Sequence, residues 1–202
     1  MGNSNLTEKQ LEDIINVTEG LIEALDEPRR SQVKAMFLDI NEIYFTAPAS
    51  GRTDFHGCYP GGLADHNLRV TKNLLKIADA LAPKRYAKNQ LVFVGLMHDL
   101  GKVGDPPVPL YIPNPSDWHR NKGMLFESNK GLPYMPICDR TMYLLQKYGI
   151  TLRDEEYTAL RISDGPYEKS NEKYGMKEPD LAILLHFADR WACAQEKAIE
   201  ST

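Results

Sequence analysis

The sequence predicts an all-α domain of six to seven helices with an ordered, proline-rich loop insertion. Three observations carry this expectation. Apolar residues recur at helical spacing in separate segments along the chain. Glycine- and proline-rich stretches fall between those segments rather than inside them. Little of the chain alternates as a strand would.

The first helix is predicted over Leu6 to Leu25, where Leu11, Ile14, Ile15, Leu21 and Ile22 share a face and Thr7 with Gln10 makes a capping box. Pro28 stands where a first helical turn tolerates proline, and Val33, Met36, Phe37, Ile40 and Ile43 mark a second helix. Thr46 to Gly62 reads as loop. Leu63 to Leu81 is a third helix, stopped by Pro83. Tyr86 to Leu100 is nearly all apolar at its centre and is expected to be buried, with Gly101 as its C-terminal stop.

Residues 104 to 137 hold seven of the thirteen prolines and also Trp118. The stretch is too aromatic for a disordered linker. It predicts an ordered insertion, with a small hairpin of Val108–Ile112 against Met124–Phe126, and long ordered loops usually serve function. Helices follow over Arg140–Tyr148, Asp154–Ser163 and Leu181–Ile199, with Asp164 to Pro179 as loop.

The chain has 202 residues, which suits one domain over 1–202. Hydrophobic residues at 42% and charged residues at 26% exclude disorder along the whole length. No apolar run reaches the 18 or more residues that a membrane helix needs. The polar N-terminus has no signal-peptide core, and Leu6 breaks the myristoylation pattern that Met1-Gly2 opens. Cys58, Cys138 and Cys193 form no CxxC pair, so a disulfide framework or zinc ribbon is not expected and a cytoplasmic setting is. A net charge of −4 gives no footprint for duplex nucleic acid, while leaving room for a small phosphorylated ligand held by a few local cations.

Three features carry chemistry. His98-Asp99 ends the apolar run Leu91–Met97, and a buried Asp needs a partner or a metal. His66 lies in the first turn of the preceding helix, after Gly61-Gly62. Asp189 stands in the middle of the apolar C-terminal helix. Two imidazoles and two carboxylates suit one divalent ion of manganese, magnesium, iron, cobalt, nickel or zinc, with sites left for water and substrate oxygen.

The order His66, His98-Asp99, Asp189 resembles the HD-domain metal-dependent phosphohydrolases. The segments FHGCYPGGLADHNLRV (55–70), LVFVGLMHDLGKVG (91–104) and LAILLHFADRWA (181–192) carry the likeness, which covers 55–192 apart from the insertion. The resemblance implies an HD-type helical bundle, His66, His98, Asp99 and Asp189 as metal ligands, and hydrolysis of a nucleotide-like phosphate ester. Lys102, three residues after Asp99, is then the cation for phosphate. HDLGKVGDPP is similar to the same stretch of HD-GYP cyclic-dinucleotide phosphodiesterases, but the GYP triplet and that subgroup's extra histidines are missing. At the comparable place stands Ser163-Asp164-Gly165-Pro166-Tyr167, where Asp164 could touch substrate or support a second metal. FHGCYPGGLADH resembles HD-domain 3′-to-5′ exoribonucleases, which add a nucleic-acid-binding domain. Compact five-prime deoxynucleotidases place Glu where Lys102 stands.

Further residues are candidates for substrate. His56 is read as a leaving-group contact and proton donor, and equally as a loop hydrogen bond. Trp118, His119, Arg120 and Lys122 could stack a base and hold phosphate, or form a solvated basic turn around a packing tryptophan. Arg69 lies one turn after His66. His186 reads mainly as a core histidine. Gly95 to Lys102 fails as a phosphate-binding P-loop, since five residues separate Gly95 from Gly101 and Val103 replaces Ser or Thr. The expectation is therefore a metal-dependent phosphohydrolase of a small phosphorylated, nucleotide-like substrate, with Asp99, Lys102 and His56 in the chemistry. A single-strand nuclease, a cyclic-dinucleotide phosphodiesterase and a non-catalytic ligand-binding module are the competing readings.

Overall fold

A computed structural model describes residues 5–165 and 167–200, with side chains to residue 198. Met1-Gly2 and Pro166, considered above from sequence, lie outside the described residues. The chain is mostly helical with a few short strands. In order come α1 (Glu8–Glu23), α2 (Arg29–Thr46), α3 (Gly62–Leu81), α4 (Lys88–Met97), a 3-10 turn (Leu100–Val103), β1 (Gly104–Asp105), β2 (Val108–Pro109), β3 (Tyr111–Pro113), α5 (Asp117–Asn121), β4 (Phe126–Ser128), α6 (Ile137–Lys147), α7 (Asp154–Arg161), a second 3-10 turn (Lys169–Tyr174) and α8 (Asp180–Glu200). Among the described residues no helix is long and apolar enough to cross a membrane.

Helix α1 begins where its cap dictates. The Thr7 hydroxyl accepts from the Gln10 backbone, and the Gln10 side chain accepts from the Thr7 backbone. Helix α3 is the axis of the bundle, packing on α8 and α4 with α2 and α1 beside them. Its apolar face, Leu63, Leu68, Val70 and Leu74, is buried with Phe93, Leu96 and Met97 of α4 and Leu185 and Ala188 of α8. That burial of branched and aromatic side chains is the main stabilising term. Helix α4 is buried from Gln90 onwards, as its all-round apolar character requires.

One ion pair is set into this core. Glu156 of α7 is fully buried and takes both guanidinium nitrogens of Arg29 at 2.8 Å. The same guanidinium lies 4.1 Å from the centre of the Phe93 ring.

Three local expectations need correction. Helix α4 stops at Met97 rather than Leu100, because Asp99 leaves the helical region at φ −105°, ψ 16°. Gly101 is not a helix stop; a Cβ there would lie 2.1 Å from the Ile137 carbonyl oxygen, so its lack of side chain lets the start of α6 close on the 3-10 turn. The hairpin is shifted. Tyr111–Pro113 pairs with Phe126–Ser128, whereas Val108–Pro109 folds back on Gly104–Asp105 across the Pro106-Pro107 turn.

The insertion also contains a helical turn, α5, where only loop was expected. Ser116 caps it, its hydroxyl accepting from the His119 backbone. The insertion is laced to the loop before α3. Thr53 N–H donates to the Gly123 carbonyl, Phe126 N–H donates to the Gly51 carbonyl, and Arg52 bridges Met124.

Candidate metal centre

Three helices deliver the centre. His66 comes from the first turns of α3, His98 from the end of α4, and Asp189 from the middle of α8. Adjacent residues on a regular helix point about 100° apart. Because Asp99 is no longer helical, its carboxylate reaches the same spot as the His98 ring. His66 and His98 are fully buried, Asp99 nearly so, and Asp189 half-buried.

The ring orientations are fixed from behind. His98 Nδ1 lies 2.9 Å from the Gly95 carbonyl oxygen. His66 Nδ1 lies 3.1 Å from Glu196 Oε1. A carbonyl and a carboxylate only accept, so each Nδ1 carries the hydrogen, and a neutral ring then turns a lone pair out at Nε2. Those two Nε2 atoms are 3.4 Å apart. His66 Nε2 is 3.1 Å from Asp189 Oδ1 and 3.6 Å from Asp99 Oδ2, and His98 Nε2 is 3.6 Å from Asp99 Oδ2. Three acceptors, on His66, His98 and Asp189, thus converge with Asp99 Oδ2 beside them, which is repulsive unless a cation or proton lies among them.

The spacing fits one ion. Ligands at about 2.0–2.2 Å from a metal sit roughly 3.0–3.5 Å from one another in octahedral or tetrahedral arrangement. The donor atoms of His66, His98 and Asp189 all fall within 4.8 Å of each other. This buried His/Asp cluster could hold a metal ion. Asp99 stands slightly off the trio, its Oδ2 drawn 2.5 Å from Lys102 Nζ.

Without a metal, charge pairing orders the same groups. Burial pushes the His66 pKa down, but hydrogen bonds to Asp189 and Glu196 outweigh it and raise it to about 9. Burial would raise Asp99, yet Lys102, His98 and His66 hold it at about 2. Asp189 is likewise held well below the usual carboxylate range, against its burial, by the hydrogen bond from His66 and the nearby positive charges. Lys102 stays charged because Asp99 offsets its desolvation.

His56 stacks on His66 with ring centres 4.3 Å apart and planes 29° from parallel. Its Nδ1 is 3.2 Å from Cys193 Sγ, and its buried Nε2 has no hydrogen-bond partner among the described residues. Burial, with the positive charges of His66 and Lys102, lowers its pKa to about 3. It is therefore a neutral imidazole, which corrects the expectation of a proton donor: at neutral pH it can offer a hydrogen bond from a ring N–H but holds no extra proton to give. His56, His66 and Cys193 also bring donor atoms within 4.8 Å. The near-parallel stack keeps the in-plane nitrogens of the two rings side by side, and His66 already turns its Nε2 to the first cluster.

The remaining sequence candidates lie as follows. Arg69 pairs with Asp65 at 3.0 Å and Glu196 at 3.4 Å, so its charge is already matched. Asp164 is open to solvent on one side, though protein crowds the other. Its Oδ2 accepts from Cys138 Sγ at 3.2 Å, and it feels the charges of Asp99, Lys102 and Asp189. Trp118 and Lys122 are exposed on α5 and just after it, with the ammonium 6.0 Å from the indole centre. Arg120 ties down its own turn through Asn114 and Asp117. His119 packs its ring against Trp118. Among the described residues, none of these four makes a hydrogen bond or ion pair with the cluster. An open groove of about 1230 Å³ between α1 and α2 is lined by none of the candidates.

Sequence reasoning missed Glu196, Cys193 and Tyr111. Glu196 stands seven residues after Asp189, two turns along the same helix face, and that interval on an apolar helix was the available signal. Tyr111 carries no such signal. It reaches the centre only because the insertion folds back, where it feels Lys102, Asp99 and Cys58.

No known protein family, curated protein or solved structure matches this chain.

Proposed function

We propose that the protein is a metal-dependent phosphohydrolase of the HD type, cleaving a phosphate ester of a nucleotide or nucleotide-like small molecule in the reducing cytosol. The observation that carries this reading is the convergence of two outward Nε2 lone pairs and two carboxylates, with both histidine tautomers set by Gly95 and Glu196. Backing of this kind by a carbonyl or carboxylate accompanies histidines that bind metals. His66, His98, Asp99 and Asp189 would hold the ion. When bound, a divalent cation supplies Lewis acidity toward a phosphoryl oxygen and a more acidic water.

The chain's own residues supply the rest. Lys102, held 2.5 Å from Asp99, is the cation beside the cluster and would turn from that carboxylate toward a phosphate oxygen as charge builds there. Asp189, open on one side, faces the solvent from which substrate arrives. His56, held neutral against His66, offers a ring N–H toward a leaving oxygen without adding charge. Tyr111 closes the side of the insertion.

The test is product analysis. The purified chain is incubated with manganese and nucleoside mono- and triphosphates, cyclic dinucleotides or a short oligonucleotide, with Asp99→Ala alongside. Consumption of one class by the wild type alone is expected. Turnover surviving in Asp99→Ala overturns the reading. Full metal occupancy with no turnover on any phosphate ester moves it to a binding module, and steeply salt-dependent cleavage of the oligonucleotide moves it to a nuclease.

A further inference from the structure

We propose that Arg69 is a positioning residue for the metal centre, acting on His66 through Glu196 and itself held in place by Asp65 and Tyr59. This rests on the metal-dependent reading above and names residues that set how tightly the ion is held without touching it.

The contacts form one chain of side chains. Tyr59 Oη donates to Asp65 Oδ2 at 2.8 Å. Arg69 Nη2 donates to the same oxygen at 3.0 Å. A second nitrogen of that guanidinium, Nε, lies 3.4 Å from Glu196 Oε1. Glu196 Oε1 in turn accepts from His66 Nδ1 at 3.1 Å. These links join a loop residue to the ring whose far nitrogen faces the cluster.

Local structure fixes the outer end of the chain. Asp65 and Arg69 stand at i and i+4 on α3, so they share one face of the helix. Tyr59 belongs to the turn that leads into α3, and its carbonyl accepts from Gly62 N–H at 2.9 Å. The turn is tight, since a Cβ at Gly62 would lie 2.1 Å from the Gly57 carbonyl oxygen. The Tyr59 hydroxyl is therefore carried on a backbone with little room to move.

The inner end needs this support. Glu196 is buried, and its Oε2 has no hydrogen-bond partner among the described residues. Buried polar atoms nearly always have partners. A carboxylate held through one oxygen can pivot toward whatever satisfies the other. Attraction to the Arg69 guanidinium favours the orientation in which Oε1 stays against His66. The planar fork suits this task, because one nitrogen serves Asp65 while another faces Glu196, which a lysine point charge does not do from one place. The Arg69 side chain is 28% exposed and that of Asp65 16%, so water and salt screen the pair less than on an open surface.

The test is a competition titration of the full chain with zinc, run on the wild type, Arg69→Gln, Arg69→Lys and Tyr59→Phe. Each variant is first matched to the wild type by circular dichroism in chelator. Arg69→Gln is expected to weaken zinc binding about ten-fold or more. Arg69→Lys is expected to recover part of that loss. Tyr59→Phe, which removes only a hydroxyl, is expected to weaken binding about three-fold. A second readout separates positioning from mere structural support. In the zinc-loaded protein with nitrogen-15-labelled histidine, the His66 Nδ1–H signal is expected to be protected from exchange in the wild type and to exchange faster in Arg69→Gln. Zinc binding by Arg69→Gln and Tyr59→Phe within two-fold of wild type overturns the proposal. So does weakened binding with an unchanged Nδ1–H signal, or a wild type that takes up no zinc. Unchanged zinc binding in the variants, with wild-type turnover of a phosphate ester, overturns the proposal and leaves the phosphohydrolase reading standing. The expected affinities and signal, with no turnover on any phosphate ester, leave the positioning role standing and remove that reading.

Discussion

Replacing Glu196 by Gln tests the centre through a residue that would never touch the ion. Glu196 is 3% exposed, and its Oε1 accepts from His66 Nδ1 at 3.1 Å while Arg69 Nε approaches the same oxygen at 3.4 Å. Gln keeps the volume and loses the charge. Its amide can also turn an NH₂ toward His66, forcing the imidazole hydrogen to Nε2, where the ion needs a lone pair. Loss of a partner behind a metal-bound histidine costs 10–100-fold in affinity, or about 1.4–2.7 kcal/mol. Glu196→Gln is therefore expected to bind manganese or zinc 10–100-fold more weakly in a competition titration. Its far-ultraviolet circular dichroism in chelator should match the wild type. An affinity within two-fold of wild type, with the fold intact, would refute the reasoning that the His66 tautomer is set from behind.

Three other outcomes follow from the same geometry. In chelator, His66 carries a folded pKa of about 9 against 6.5 unfolded, so its contribution to stability is complete below pH 6.5 and is lost as pH rises through 9. The melting temperature of the metal-free protein should fall across that window, and His66→Gln should flatten the fall. Arg29→Ala leaves the fully buried Glu156 carboxylate with little beyond the Arg153 backbone N–H, and urea denaturation should show a loss of about 3 kcal/mol; a loss under 1 kcal/mol would mean that the pair is not desolvated as described. Gly101→Ala puts a methyl group against the Ile137 carbonyl and should cost about 1–3 kcal/mol, with a shift in the signals of α6 by nuclear magnetic resonance.

The helices and the residues of the His/Asp cluster were the legible part of the chain. Apolar patterning located α1 through α4 and α6 through α8 to within a few residues, because most bury one stripe and α4 is apolar all round. His66, His98, Asp99 and Asp189 stood out because ionisable groups inside apolar segments require partners. Two kinds of feature stayed hidden. One is set by backbone geometry at helix ends: the break at Asp99 and the approach that Gly101 permits depend on how α6 packs, which no local pattern encodes. The other is set by how loops fold back. Tyr111 joins the centre and Arg69 approaches Glu196 through contacts from elsewhere in the fold, while the hairpin slipped because Pro106-Pro107 turns the chain earlier than hydrophobicity suggests.

The pairing of α3 with α8 has a consequence for how the molecule assembles. His66 and Glu196 are 130 positions apart, and Asp189 lies nearly as far along. Closing so long a loop is entropically costly and slow compared with forming the helices themselves. Until α8 docks, His66, His98 and Asp99 lack Asp189, so the cluster that could hold an ion is complete only late in folding. An ion captured then acts as a clasp between early and late segments of the chain. At a hundred times its dissociation constant it adds about 2.7 kcal/mol against unfolding. Metal supply would then set how firmly the early and late segments hold together.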